Sequence, residues 1–281
     1  MSISAKDVKK LRDITGAGMM DCKKALIESN GDIDGAIEAL RKKGQKLSAK
    51  RAEREANEGV VIALTSSNRN KGVVVRLSCE TDFVAKGEGF IDLANSIAQT
   101  ALTKLPDSLS ELLDLPFSDE KISIGEKVTE QIGVIGEKIE VKEYSKIETN
   151  AGEGQVVPYI HMGYKAGVIV ALNQEGAELE EYGKNVAMQV AAMKPIAIDK
   201  SDVPEEVIQK EIEIGKELAK NEGKPEAMLE KIAMGRLNKF FKETTLLNQA
   251  YVKDSKQSVG GYLKSKHQDL TVTDFKHIAL G

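Results

Sequence analysis

The sequence predicts an α+β fold: an N-terminal bundle of three short helices, then two repeated antiparallel-sheet and helix units, with a helical hairpin inserted in the second. Three observations predict it. Apolar residues recur at helical spacing in three short runs within residues 1–44. The run Gly72-Val-Val-Val-Arg-Leu77 returns as Gly167-Val-Ile-Val-Ala-Leu172, each time between an earlier strand pattern and a later amphipathic helix. Strands that come in adjacent pairs argue for antiparallel sheets, not a doubly wound parallel one. Residues 203–241 read as two charged, amphipathic helices back to back. A length of 281 residues suits two or three compact units. The divisions read here are a helical unit at 1–44, a linker at 45–57, a first sheet unit at 58–150 and a second at 151–281. Hydrophobic residues make up 41% but aromatics only 4%, with no Trp, so the cores must be aliphatic.

In order along the chain, Ser4 with Asp7 three residues on can cap a first helix whose Val8, Leu11 and Ile14 share a face. Gly16 and Gly18 break it. A second helix runs from about Met19 to Ser29 and stops at Asn30-Gly31, a pair suited to a left-handed cap. Asp32 can cap a third, with Ile33, Ala36, Ile37 and Leu40 in helical register, and Gly44 is expected to end it. Three helices with a short glycine loop between the first two are similar to the ubiquitin-associated type of bundle. Residues 45–57 are charged without an apolar stripe and read as a solvated linker. Lys46, Lys50, Arg51 and Arg54 make a weaker case for nucleic acid, because Glu53 and Glu55 sit among them and no aromatics interleave.

The first sheet unit opens with Val60 to Leu64, a turn, and Val73 to Leu77. After a loop, Phe90, Leu93, Ala94, Ile97, Ala98, Ala101 and Leu102 mark an amphipathic helix. Residues 103–118, with Pro106 and Pro116, read as a connecting loop with room for one short turn. A helix is expected from about Asp119 to Ile132, then a turn and a strand. In the second unit, strands are expected at Val156 to Met162 and Gly167 to Leu172, with a turn at Gly163 to Lys165. A helix from about Leu179 to Met193 stops before Pro195. Its Ala187, Val190 and Ala191 match Ala94, Ile97 and Ala98 of the first copy. The hairpin breaks at Asn221 to Pro225. Spacing alone fits two core helices as well as a coiled-coil arm, and the high charge favours the arm. A helix at Ser258 to Lys266 and a strand at Leu270 to Ile278 complete the chain.

Chemistry is sparse. The net charge of −4 makes direct nucleic-acid binding unfavourable. Cys22 and Cys79 form no CxxC pair, and two free thiols fit a reducing cytoplasm. The N-terminus has no apolar stretch of the secretory kind, and no run of 18 apolar residues predicts a membrane span. There is no phosphate-binding GxxxxGK[ST], no GxSxG, and no His pair at metal-ligand spacing among His161, His267 and His277. Cys22, beside Lys23 and Lys24, reads as a buried structural thiol. Glu180-Glu181 and Glu205-Glu206 read as solvated helix faces. No cofactor, metal site or enzyme active site is implied.

Two segments carry a specific resemblance. Thr15-Gly-Ala-Gly-Met-Met-Asp-Cys-Lys-Lys-Ala-Leu26 and Cys79-Glu-Thr-Asp-Phe-Val-Ala-Lys86 closely resemble the two signature stretches of the elongation factor Ts family, and the resemblance extends through Gly163 and Gly223-Lys-Pro225. It implies a non-enzymatic factor that binds elongation factor Tu, dislodges Mg²⁺ and releases GDP. It implies that Thr81, Asp82, Phe83 and Val84 engage Tu, with further contacts from Lys23, Ile135, Gly136 and His161. The residues alone leave alternatives open. Phe83 can cap the local core and Asp82 the next turn; Ile135 can be core, Gly136 a turn glycine, and His161 a satisfied strand histidine. The hairpin leaves open pairing with a second copy, packing on another factor, or neither. Some family members carry an additional C-terminal helix that packs on the partner's GTPase domain. This sequence stops at His277-Ile-Ala-Leu-Gly281, so more of the binding is expected from the bundle and sheet units. Two other classes remain: a bundle that binds ubiquitin-like or nascent chains, and an enzyme with an unrecognised site.

Overall fold

The computed structural model describes residues 3–118, 122–150 and 152–281. Three helices come first: α1 (Ala5–Thr15), α2 (Met19–Glu28) and α3 (Ile33–Arg51). The Ser4 hydroxyl accepts from the Asp7 amide, and the Asp7 side chain accepts from the Ser4 amide, which closes the box that starts α1. Asp32 caps α3 through the Gly35 amide at 2.9 Å. Val8, Leu11, Cys22, Ala25, Leu26 and Ala36 form the bundle's small core.

Helix α3 corrects the expectation that Gly44 ends it; the helix runs on to Arg51, into the segment read as linker. The glycine is there for closeness. A Cβ on Gly44 would lie 2.7 Å from the Thr129 carbonyl oxygen, and one on Gly133 would lie 3.0 Å from the Gly44 Cα. Both Thr129 and Gly133 belong to α7 (Ile124–Ile135), so the two helices cross backbone to backbone at this point. The expected helix from Asp119 to Ile132 is displaced. It starts at Ile124, after Ser123, whose capping box with Glu126 the apolar spacing did not reveal, and runs three residues past Ile132. The expected start at 119–121 lies outside the described residues.

The first sheet has order β1 (Glu58–Thr65), β2 (Lys71–Cys79), β3 (Ile139–Glu148), all antiparallel. After β2 come α4 (Asp82–Ala85) and α5 (Glu88–Lys104), and the whole apolar stripe from Phe90 to Leu102 is buried. Within the expected loop at 103–118, Ser108 caps a six-residue helix, α6 (Leu109–Asp114). The second sheet has order β4 (Gln155–Ile160), β5 (Ala166–Leu172), β8 (Val272–Ala279), again antiparallel. It carries α8 (Leu179–Met193) on its outer face. Strand β4 stops two residues short of the expected Met162, because residues 162–164 turn as a 3₁₀ helix with Gly163 at φ 75° and Tyr164 at φ 60°.

The inner faces of the two sheets pack on each other through Val61, Ala63, Val74, Ile147, Val156, Ile169, Ala171 and Ile278. Positions 95 residues apart play matching parts here. A Cβ on Gly72 would meet Val156 and Ile169, and one on Gly167 would meet Val61 and Val74. The ladder of β2 with β3 slips between Arg76 and Leu77; that of β5 with β8 slips between Ala171 and Leu172. Sheets packed this way bury β2 and β5 on both faces, which is why those strands read as continuous apolar runs.

The hairpin is α9 (Glu205–Asn221) and α10 (Glu226–Thr244). At its root, Ala197, Val203, Leu237 and Phe241 form a core of their own. Farther out, Gly215 approaches Ala233, and Ile214, Leu218, Met228 and Met234 stay exposed. A small two-stranded ribbon, β6 (Ala250–Tyr251) and β7 (Asp254–Ser258), and α11 (Val259–Lys266) lead to β8. The sequence did not foretell the ribbon. Among the described residues no helix is long and apolar enough to cross a membrane.

Candidate functional site

Strand β2 delivers the chain into a short loop. Thr81 is extended at φ −123° and caps α4, its hydroxyl accepting from the Val84 amide at 3.5 Å. The cap is therefore Thr81, not Asp82. Four residues suffice for one turn, and that turn sets the fate of each side chain. Val84 and Ala85 turn inward against the β1–β2–α5 core. Phe83 turns outward and is 86% exposed. The core-capping account of Phe83 is thus wrong, because α4 presents its opposite face to the core. Asp82 sits beside the ring, in an ion pair with Lys86 at 2.6 Å that holds its carboxyl below the usual range.

A second segment meets this loop from α7 and β3. Ile135 is the last residue of α7, half-buried against the same core as Val84. Gly136 ends the helix in the left-handed region, φ 83° and ψ 10°, its amide donating to the Ile132 carbonyl at 2.9 Å. That conformation favours glycine. Glu137, next in the chain, accepts from the Thr81 amide at 3.0 Å and the Thr81 hydroxyl at 2.7 Å. Glu80 accepts from the Lys138 amide at 2.6 Å and from Arg51 at the end of α3, also at 2.6 Å. Burial pushes the Glu80 carboxyl up, but the Lys138 amide and the Arg51 and Arg54 charges outweigh it and leave it below the ordinary range. Cys79, buried behind the loop, donates towards the Thr81 carbonyl at 3.2 Å, and burial pushes its thiol up to about 12.

The remaining expected residues lie apart. His161 is exposed at the start of the 3₁₀ turn after β4, not inside the strand, and its Nδ1 sits 2.9 Å from the Tyr159 hydroxyl. Its neighbours Ile160 and Tyr164 pack on the core that also supports Val84 and Ile135, so this turn shares one foundation with the Phe83 loop. Lys23 is exposed on α2, in the bundle, whose core meets α7 through Val134. The structure thus links Thr81–Val84 to Ile135–Gly136 through the next residue, Glu137, sets His161 on the same core, and leaves Lys23 on the helical bundle. Sequence reading passed over Glu137, quoted Glu80 only as part of the second signature stretch, and weighed Arg51 only as one of four basic residues in the linker. Among the described residues no three His, Cys, Asp or Glu side chains converge as a metal site. Cys22 is fully buried.

The Phe83 ring is thus a large apolar side chain left on the surface of a braced turn. Comparison with known proteins agrees with the signature segments. Residues 80–281 match the family model described as Elongation factor TS. The chain is 50% identical over 279 residues to elongation factor Ts of Christiangramia forsetii, covering 99% of each chain. It is 51% identical over 280 residues to that of Cytophaga hutchinsonii, covering 99% of each, and 50% identical over 280 residues to that of Flavobacterium psychrophilum, covering 100% of this chain and 99% of the relative. Two signature stretches, a family match over most of the chain and relatives aligned from end to end lead to one conclusion: this chain belongs to the elongation factor Ts family of translation elongation factors.

Proposed function

We propose that the chain is a guanine nucleotide exchange factor that binds elongation factor Tu carrying GDP in the cytoplasm, displaces its Mg²⁺ and frees the site for GTP. The observation that carries this reading is Phe83, 86% exposed on a one-turn helix with a carboxylate beside it. A GTPase grips GDP through a phosphate loop and a Mg²⁺ ion. A ring inserted beside that pocket holds a switch element displaced, and the carboxylate of Asp82 competes for groups that orient the metal's shell. Loss of the ion removes the largest positive charge facing the phosphates. Thr81 and Val84 set the turn. Lys23, Ile135–Gly136 and His161 are read as further contacts on three separate segments, so that Tu is held at several points while the tip works.

No covalent step enters. Factor and nucleotide each bind the GTPase better when the other is absent, so each weakens the other by the same factor. Every tenfold loss of nucleotide affinity takes about 1.4 kcal/mol of preferential binding to the empty form. In the same reading the two sheet units are copies, the N-terminal bundle is of the ubiquitin-associated kind, and the hairpin is a coiled-coil arm. The test is release of labelled GDP from Tu. The double variant Asp82→Ala/Phe83→Ala should slow release by about thirtyfold or more, the 2 kcal/mol expected of an aromatic anchor. Wild-type release by that variant would remove the tip from the mechanism.

A further inference from the structure

Beyond the paired ends of β2 and β3, where Cys79 faces Ile139, the two functional segments exchange carboxylates. Glu80, from the Phe83 side, accepts from the Lys138 backbone amide; Glu137, from the Ile135–Gly136 side, accepts from the Thr81 backbone amide and hydroxyl. Each loop is thus pinned by the acidic side chain of the other. A third element joins. Arg51, at the end of α3, donates to Glu80 at 2.6 Å, and Arg54 reaches the other oxygen at 3.5 Å. Lys138 Nζ in turn donates to the Ala52 and Arg54 carbonyls, at 3.1 and 3.0 Å, where α3 ends.

The Glu80 side chain is only 14% exposed and that of Arg51 27%, so these groups face one another, not a partner's surface. Hydrogen bonds from an amide or a guanidinium to a carboxylate are among the strong ones, and two of them here, from the Lys138 amide to Glu80 and from the Thr81 amide to Glu137, act on main chain. Among the described residues, the Asp82 carboxylate has only local partners, the Lys86 ammonium and the main chain of Asp82 and Phe83. The placement of Asp82 and Phe83 depends on the flanking residues.

We infer that Glu80 and Glu137 are positioning residues for nucleotide exchange: their crossed bonds hold the Phe83 tip and the Ile135–Gly136 turn at one separation, and Arg51 ties both to the N-terminal bundle. The inference rests on the exchange reading above. A tip held in advance spends no binding free energy on being ordered, and a displacement of about 1 Å at a working group costs up to a hundredfold in rate. Loss of either carboxylate frees a loop without removing any group that touches the partner.

The experiment uses the full chain with Tu loaded with labelled GDP, and compares wild type, Glu137→Ala, Glu80→Ala, Glu137→Gln and Phe83→Ala. Amide hydrogen exchange reads the clamp directly at Thr81 and Lys138, and stopped-flow release reads the maximal rate and the half-saturating concentration. In Glu137→Ala the Thr81 amide should lose protection and the maximal release rate should fall about tenfold, with a smaller change in half-saturation. Glu137→Gln, which keeps an acceptor, should recover most of the rate. If Phe83→Ala slows release while Glu137→Ala frees the Thr81 amide and releases GDP at the wild-type rate, the positioning role is overturned and the exchange reading stands. If Phe83→Ala itself releases at the wild-type rate, the exchange reading of this site falls and the inference falls with it. Should Glu137→Ala fail to fold, Glu80→Ala opens the other half of the clamp; a drop of about tenfold in maximal rate supports the clamp, and a Lys138 amide that loses protection with an unchanged rate overturns it.

Discussion

Burying a phenylalanine ring is worth about 1.5–3 kcal/mol to a folded chain, and Phe83 forgoes nearly all of it. Its replacement should therefore leave stability almost untouched. Phe83→Ala is expected to shift unfolding by no more than about 0.5 kcal/mol in urea while impairing exchange, a separation a core residue would not show. His277 is the opposite case. Its Nε2 is buried without a hydrogen-bond partner, and burial, then the nearby Lys194, hold the ring below the ordinary 6.5, with Glu143 opposing. The folded state thus prefers the neutral ring. The stability this contributes is present above 6.5 and is lost as pH falls, because the unfolded chain takes up the proton first. Urea midpoints compared at pH 8 and about pH 5.5 should fall more in wild type than in His277→Gln; equal falls would assign the acid sensitivity elsewhere. At this scale the sequence was half legible. Thr81 to Val84 stood out as a signature, but Glu80 and Glu137 act on main-chain groups 58 and 56 residues away, and no local pattern records a bond that long in sequence.

Helices α3 and α7 show why an element's end is harder to read than its existence. A glycine late in an amphipathic run has two physical meanings, a stop or a close crossing, and Gly44 has the second. The two meanings predict opposite signs for Gly44→Ala. If the residue were merely tolerated, alanine would stabilise the helix by about 1 kcal/mol. Since its Cβ would lie 2.7 Å from the Thr129 carbonyl, the helices must part, and a net loss of about 1–3 kcal/mol in denaturant titration is expected. Between Pro106 and Pro116 the sequence left room for only one short turn, and α6 fills six residues there from the start marked by Ser108 with Glu111. The β6–β7 ribbon has no apolar alternation to read: four of the five β7 positions are Asp254, Ser255, Lys256 and Gln257, and they lie flat on the surface or nearly so. His161 passed for a strand residue because the turn that follows depends on Gly163 and on Tyr164 taking a left-handed conformation that few tyrosines adopt.

Across the whole molecule, the strands of both sheets and their antiparallel pairing were legible, because apolar runs and turns are local. What the sheets pack against was not, since a strand buried on both faces does not say what lies over it. The two sheets meet through Gly72 and Gly167, where a Cβ would lie 2.4 Å from Val156 and 2.8 Å from Val61. Gly72→Val should force the sheets apart at a cost of about 1–3 kcal/mol or more. Adding Val156→Ala should recover part of that loss, giving a coupling of about 0.5–3 kcal/mol in a double-mutant cycle. Additive effects would place the contact elsewhere.

The unbroken run of α3 past Gly44 has a mechanical result. At 1.5 Å per residue, a helix of 19 residues is a crank about 28 Å long, with the bundle at one end and Arg51 at the other. A tilt of only about 5° at the near end would swing the far end by about 2.5 Å, nearly the full length of a hydrogen bond. On the exchange reading proposed above, a chain geared this stiffly would make seating the first forty residues on the partner and aiming the aromatic point a single motion.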